Sequence, residues 1–484
     1  MSLTRRKSLE SLFERAKHSD LKRTLTARSL VALGIGAIIG AGLFVRTADA
    51  AAQDAGSGVI LSFIFAAIGC TFAGLCYAEF AAMIPIAGSA YTYAYTTMGE
   101  LVAWIIGWAL VLEYALGAAT LSISWSEYLN KLLTQNGYSA VPFEWCHSPM
   151  QTDALTHVSG IMNIPAVVIL LLLSMVLIKG TQESATFNTI IVTVKLAIVV
   201  VFIAVGWHFI VPANHTPLLI PATEPGHGAF NHHGWGGVLG GAGIVFFAFI
   251  GFDAVSTAAQ ETVNPGRDMP RGILGSLAIC TVLYIVFGWV LTGVANWREF
   301  ATVGKEASVA YAIEHGMPGF DWLAKGVTVA ILFGFSSVML VMLLGQSRVF
   351  YTMSEDGLLP KLFSDVHPKF RTPYKSNILL FFFVGAFGAF LPESVAGDLT
   401  SIGTLFAFVL VCVGVIIMRK LQPNVTRPFR TPLVPLVPIL GVLVCGLMIG
   451  NLEPRTQLTA LGWMVLGLAI YFLYSRSHSK LNKA

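Results

Sequence analysis

Three ionisable side chains, Glu113, Lys195 and Asp253, stand inside long apolar runs of this chain. A charge at mid-bilayer costs roughly 2.5–3.5 kcal/mol on insertion scales, so each must face a cavity or a partner. Lys195 follows Asn188-Thr189-Ile190-Ile191-Val192-Thr193-Val194 and lies about 14 Å along a helix from the nearer end of its run, far for snorkelling alone. An amine at that depth can gain and lose a proton, and its charged form matches the charge of a sodium ion. Its expected task is to tie the fifth apolar run to the first and to exchange H⁺.

The backbone supplies the other chemistry. Gly34-Ile35-Gly36-Ala37-Ile38-Ile39-Gly40-Ala41-Gly42-Leu43-Phe44 is apolar but glycine-rich, and each glycine costs a helix interior about 1 kcal/mol against alanine. Gly40 and Gly42 bracket the expected break, with Ala41 between them. In lipid an interrupted backbone survives only where protein or a polar cavity receives its freed groups. The half-helix starting after Gly42 would offer unpaired amides and a positive dipole end, a place for a carboxylate. The alternative is that Gly36 and Gly40, at Gly-x-x-x-Gly spacing, only let a neighbouring helix approach.

A second interruption favours the break over packing alone. Gly240-Gly241-Ala242-Gly243-Ile244-Val245-Phe246-Phe247-Ala248-Phe249-Ile250-Gly251-Phe252-Asp253 predicts a helix that unwinds near 247–251. Its first half would end in free carbonyls, those of Phe247, Ala248 and Ile250, and with Ile38 these would take an ammonium group. Amides at one end and carbonyls at the other suit the zwitterionic head of an α-amino acid. The interrupted runs are the first and the sixth, so they cross in opposite directions, which points to an inverted repeat.

The elements that position these groups follow from composition. With 55% hydrophobic and 12% charged residues and a mean hydropathy of +0.72, the chain reads as an all-α polytopic membrane protein. Apolar runs near 28–53, 58–83, 100–129, 163–179, 186–211, 237–260, 270–296, 322–353, 375–391, 397–419, 433–450 and 457–475 predict twelve spans. Lys and Arg concentrate in the loops on the N-terminal side, placing both termini in the cytoplasm of a plasma-membrane protein. The net charge of +4 reflects that topology and carries no argument for nucleic acid.

Residues 1–27 form a basic cytoplasmic segment without the apolar core of a removable signal, and 5–23 read as an amphipathic helix on the membrane surface. Glu79, near an inner span end before Pro85 and Gly88, is a candidate for snorkelling or gating. His215, His227, His232 and His233 share one outer loop at spacings that match no metal site. Cys70, Cys76, Cys280, Cys412 and Cys445 lie in spans and Cys146 in a loop, so neither a disulfide framework nor a metal is expected. No Gly-x-x-x-x-Gly-Lys-[Ser/Thr] run exists, and no nucleophile, base or metal set converges inside the spans, which argues against an ATPase or an embedded enzyme. A channel or a sensor of the same fold lacks a signature of its own.

Several runs together resemble the amino acid/polyamine/organocation superfamily, most closely the bacterial members of its cationic amino acid transporter family. They are the stretch 34–42, Cys76-Tyr77-Ala78-Glu79, Pro85-Ile86-Ala87-Gly88-Ser89-Ala90-Tyr91, Ile106-Gly107-Trp108, Leu112-Glu113-Tyr114 and Phe249-Ile250-Gly251-Phe252-Asp253. Asn264-Pro265-Gly266-Arg267-Asp268-Met269-Pro270 and Gly345-Gln346-Ser347-Arg348-Val349-Phe350-Tyr351-Thr352-Met353-Ser354 complete the likeness, which covers spans one to ten.

The resemblance implies the leucine-transporter-type fold: a five-plus-five inverted repeat, 28–211 and 237–419, then two further helices within 433–475 and a tail at 476–484. It implies alternating-access symport of an L-amino acid, with H⁺ as coupling ion through Lys195 and no other cofactor. The side-chain pocket it implies is lined by Glu113, Phe247, Asp253, Phe335, Ser336 and Met339. Glu113 could receive a cationic side chain, whereas bulky Phe335 suits a small neutral one such as alanine's, and both stay open. Exchange or uniport without proton coupling is the functional alternative. The implied surroundings are the bilayer, with room for a sterol or a small single-span subunit. One local departure is Arg46-Thr47-Ala48, where Leu/Ile-Thr-Gly is commoner.

Overall fold

The first apolar run stops being a single helix where its glycines begin to crowd. In the computed structural model, which describes residues 5–7, 23–84, 89–153, 156–179, 185–302, 307–370 and 372–482, α1 (Ala27–Ile38) starts at Thr26, whose hydroxyl accepts the Ser29 amide. It ends at Ile39, where the backbone turns extended with ψ 105°. Helix resumes as α2 (42–55), whose first turn, Gly42–Arg46, is π-helical. The amphipathic segment expected at 5–23 and the turn at 85–88 lie largely outside the described residues.

Gly56, at φ +60°, reverses the chain into α3 (Val59–Met83). Next come α4 (Ser89–Thr97) and α5 (Glu100–Gln135), the latter carrying a π-helical turn at Leu112–Leu116. α6 (Ile164–Lys179) and α7 (Ala185–Gly206) precede a long loop. α8 (Gly234–Val245) tightens to 3-10 geometry over Phe246–Phe249. It opens at Ile250 (ψ 136°), passes Gly251 at φ +110°, and resumes as a 3-10 helix, Asp253–Glu261. Only glycine adopts that φ without strain, so the second break sits on its glycine.

The chain continues through α9 (Pro265–Val294), α10 (Ser308–Gly316), α11 (Asp321–Glu355), α12 (Tyr374–Phe390), α13 (Glu393–Leu421), α14 (Leu436–Asn451) and α15 (Pro454–His478). Among the described residues there are no strands, only isolated bridges at Leu25–Thr262 and Thr152–Ser159. Among the described residues eight helical stretches are long and apolar enough to cross a bilayer; α1, α6, α12 and α14 are shorter apolar helices. α9 runs along α3 and α1, α8 along α3, α11 along α5, and α13 along α14. The first broken helix thus lies against α9 and the second against α3, and the 3-10 segment Asp253–Glu261 that follows the second break touches both α3 and α9.

Charges buried in this bundle come in partnered groups. Arg46, 1% exposed, binds Asp398 and stands 3.4 Å from carboxylate oxygens of both Glu393 and Asp49, tying α2 to α13. Glu79 accepts both arms of Arg419, at 3.1 and 2.7 Å, and the Thr431 amide at 2.7 Å. It is therefore held in a bidentate pair at the end of α3 and does not snorkel. The loop histidines are attached to the bundle as well: His232 pairs with Asp54, His227 Nε2 lies 3.1 Å from Ala52 O, and His215 stacks on Trp289. Among the described residues no three metal-ligating side chains cluster, and every cysteine is a free thiol.

Candidate binding site between two broken helices

The two breaks meet backbone to backbone. A Cβ placed on Gly42 would stand 2.2 Å from Ala248 Cα and 2.5 Å from its nitrogen. One on Gly251 would stand 2.8 Å from Ala37 O. Each glycine therefore removes the side chain that would push the two broken helices apart. Gly36 has a packing role instead, since its Cβ would lie 2.3 Å from Val192 Cγ2 on α7. Gly40 has ordinary room, 3.6 Å from Leu121 and Val338, so its place is explained by the break and not by contact.

At the first break the helical ladder of α2 begins with Leu43 N–H and Phe44 N–H, both onto Gly40 O at 3.2 and 3.4 Å. The amides of Ala41 and Gly42 precede that ladder and are buried. Across from them α8 ends in the carbonyls of Phe247, Ala248 and Ile250, at residues no more than 6% exposed. Donors from one element and acceptors from the other are thus brought together over a short distance.

Lys195 is 2% exposed, and its Nζ donates to Gly36 O at 3.1 Å and Ile39 O at 3.3 Å. These carbonyls belong to the last turn of α1, the negative end of a helix dipole, which favours an ammonium group. A Cβ on Gly334 would come within 3.0 Å of Lys195 Cε, so α11 leaves a glycine groove for the lysine stem. α7, α11 and the first break are coupled through this one side chain.

Glu113 and Asp253 are fully buried beside one another. Asp253 Oδ2 accepts the Tyr114 hydroxyl at 3.2 Å, while Asp253 Oδ1 and both Glu113 oxygens accept no hydrogen bond of ordinary geometry among the described residues. Tyr77, Tyr93 and Ser256 complete a buried polar cluster around the two acids. Glu113 sits in the π-helical turn of α5, a distortion that recurs at functional sites. Buried polar groups are ordinarily paired, so the vacant acceptors mark a place for a donor group or water.

Phe335 lies among aromatic side chains. It is fully buried, with its ring centroid 6.3 Å from Phe44 and 5.7 Å from Tyr128. Phe44 O in turn receives the Tyr128 hydroxyl at 3.3 Å and the Ser308 hydroxyl at 3.1 Å. Aromatic rings and two hydroxyls therefore surround the first turn of α2, at the residue two past Gly42.

Sequence reasoning passed over one residue at the centre. The Tyr284 hydroxyl on α9 lies 3.1 Å from Ile38 O and 3.0 Å from Ala248 O, donating to one at a time. Two of the carbonyls assigned to an ammonium group thus share a resident donor, each keeping a second lone pair. A lone tyrosine in an apolar helix reads as core, and nothing in its spacing signals this contact.

A family model described as amino acid permease matches residues 25–473. The chain is similar to the branched-chain amino acid permease BcaP of Bacillus subtilis, at 43% identity over 100% of this chain and 99% of that protein. It is similar to the methylthioribose transporter of the same species, at 41% over 100% of both. A vacuolar cationic amino acid transporter 4 of Arabidopsis thaliana is 32% identical over 87% of this chain and 68% of its own length. All three are named as permeases or transporters and none as an enzyme.

Proposed function

Since this chain belongs to the amino acid permease family of the amino acid/polyamine/organocation superfamily, we propose that it is a proton-coupled symporter of neutral L-amino acids working by alternating access. The substrate carboxylate is held by the amides at residues 40–42 and the amino group by the carbonyls of Phe247, Ala248 and Ile250, with Ile38. Binding there changes the strain and hydrogen bonding of both breaks at once, which is how one small solute can bias two helices. Protonated Lys195 holds the end of α1 through Gly36 O and Ile39 O. Loss of its proton weakens that hold and frees α1 to move.

The observation that carries this reading is the crossing of two interrupted backbones at Gly42 and Ala248, with an amine on the carbonyls of one of them. The chain is read as twelve spans in the plasma membrane, with 28–211 and 237–419 as opposed halves, α14 and α15 outside the repeat, and both ends cytoplasmic. The reciprocal packing, α1 on α9 and α8 on α3, supports that symmetry. Small to branched aliphatic side chains suit the aromatic border of Phe247 and Phe335, and a relative similar over the whole chain is named for branched-chain substrates. The vacant carboxylate oxygens of Glu113 favour one second reading, a cationic side chain.

Uptake into proteoliposomes tests the proposal, with alanine, valine, leucine, arginine and methylthioribose as labelled solutes. Accumulation of the neutral amino acids under an inward proton gradient, without response to sodium, is expected. Uptake indifferent to the proton gradient would reassign the chain to exchange or uniport. Arginine accumulation would favour the cationic reading, and no amino acid uptake at all would overturn both.

A further inference from the structure

A cleft of about 940 Å³ opens at the start of α9, away from both breaks, among Arg23, Arg267, Arg271, Leu274, Pro428 and Phe429. We propose that it binds the phosphate-bearing headgroup of an anionic membrane phospholipid. This inference does not depend on the transport reading, only on the chain lying in a bilayer.

Charge is the first argument. Three guanidinium groups line the cleft. Arg267 Nε stands 2.8 Å from Asp268 Oδ1, whose side chain is 2% exposed and turned inward. Arg23 and Arg271 are exposed and make no ion pair among the described residues. A surplus of positive charge is left facing the cleft. Guanidinium forks match phosphate oxygens in pairs, and the opening turn of the 30-residue α9 adds a positive dipole end.

Shape is the second. Gly266 lets Pro428 close one wall, since a Cβ there would lie 2.7 Å from Pro428 Cβ. Above Arg271 the outward stripe of α9 is apolar: Leu274, Ala278, Ile279 (42% exposed) and Val282 (62% exposed) follow at helical spacing. From Arg271 to Val282 this track rises about 16 Å at 1.5 Å per residue, room for much of an acyl chain. A soluble anion would use the arginines and ignore the track; a phospholipid uses both. The Lys/Arg bias places this end of α9 at the cytoplasmic leaflet, where anionic lipids are drawn to basic pockets.

The test is lipid retention by the purified full-length protein, measured by native mass spectrometry after delipidation and titration with phosphatidylglycerol or phosphatidylethanolamine. Phosphatidylglycerol should be retained preferentially, and the double variant Arg23→Gln/Arg271→Gln should retain at least about tenfold less, as loss of charge-assisted hydrogen bonds predicts. The exposed-site control Arg455→Gln should retain the parental amount, and the double variant should elute as the same monodisperse species. Equal retention of both lipids, or an unchanged load on the double variant, overturns the proposal. Displacement of phosphatidylglycerol by excess inorganic phosphate overturns it too, in favour of a soluble-anion site.

Discussion

Gly42 and Ala248 touch through their backbones, 206 residues apart in sequence, with space for no side chain between them. A methyl at 42 would lie 2.2 Å from Ala248 Cα, and neither partner is the flexible tip of a side chain. The strain falls on the two breaks that form the candidate site. Gly42→Ala should therefore abolish uptake while the protein still reaches the membrane, at an overpacking cost of about 1–3 kcal/mol. Initial uptake rates normalised to surface protein check this; parental rates would show that the contact is not needed.

Lys195 holds the end of α1 through two carbonyls. Lys195→Ala removes both bonds and the ammonium group to which the proposed function assigns proton exchange. Uptake driven by an imposed pH gradient should fall at least about tenfold, the equivalent of one lost charge-assisted hydrogen bond. Binding of labelled substrate at equilibrium should persist. Gradient-driven uptake at the parental rate would remove Lys195 from the coupling step.

Arg46 is buried against Asp398, Glu393 and Asp49. Arg46→Leu leaves buried carboxylates without their cation, a change that typically costs about 3–5 kcal/mol. The melting temperature in detergent should drop sharply. Adding Asp398→Asn and Glu393→Gln to Arg46→Leu should recover most of it, because the orphaned charges are then gone.

His232 lies in a loop, and its hydrogen bond to Asp54 raises its pKa above the ordinary histidine value. A raised pKa in the folded state means the pair stabilises the fold fully below the unfolded value of about 6.5. That contribution fades as pH rises through the folded pKa. His232→Gln should thus lower the melting temperature most in mild acid and match the parent at alkaline pH. A difference that grows with pH would contradict the pairing.

Both breaks were legible in the sequence because glycine writes a local signature: it is kept where φ is positive, as at Gly251, or where another backbone passes, as at Gly42. Of the twelve expected spans the structure carries fewer in full: among the described residues eight helical stretches are long and apolar enough to cross a bilayer, and three of the expected runs make helices of only 16 or 17 residues. Long-range partners were not legible. Nothing near Arg46 points to Asp398 or Glu393, and Tyr284, Tyr128 and Ser308 carry ordinary core residue types whose roles depend on which carbonyls lie opposite. The ring neighbours of Phe335, which are Phe44 and Tyr128, come from distant parts of the chain and were not legible either.

The central claim is that one site grips both ends of a zwitterion, and competition binding tests it most directly. Labelled alanine or leucine bound to the purified protein is challenged with the unlabelled amino acid, its N-acetyl derivative and its methyl ester. The parent compound should displace the label, and neither derivative should do so even in large excess, since each lacks one charged end. Displacement by either derivative as effective as by the parent would contradict the account.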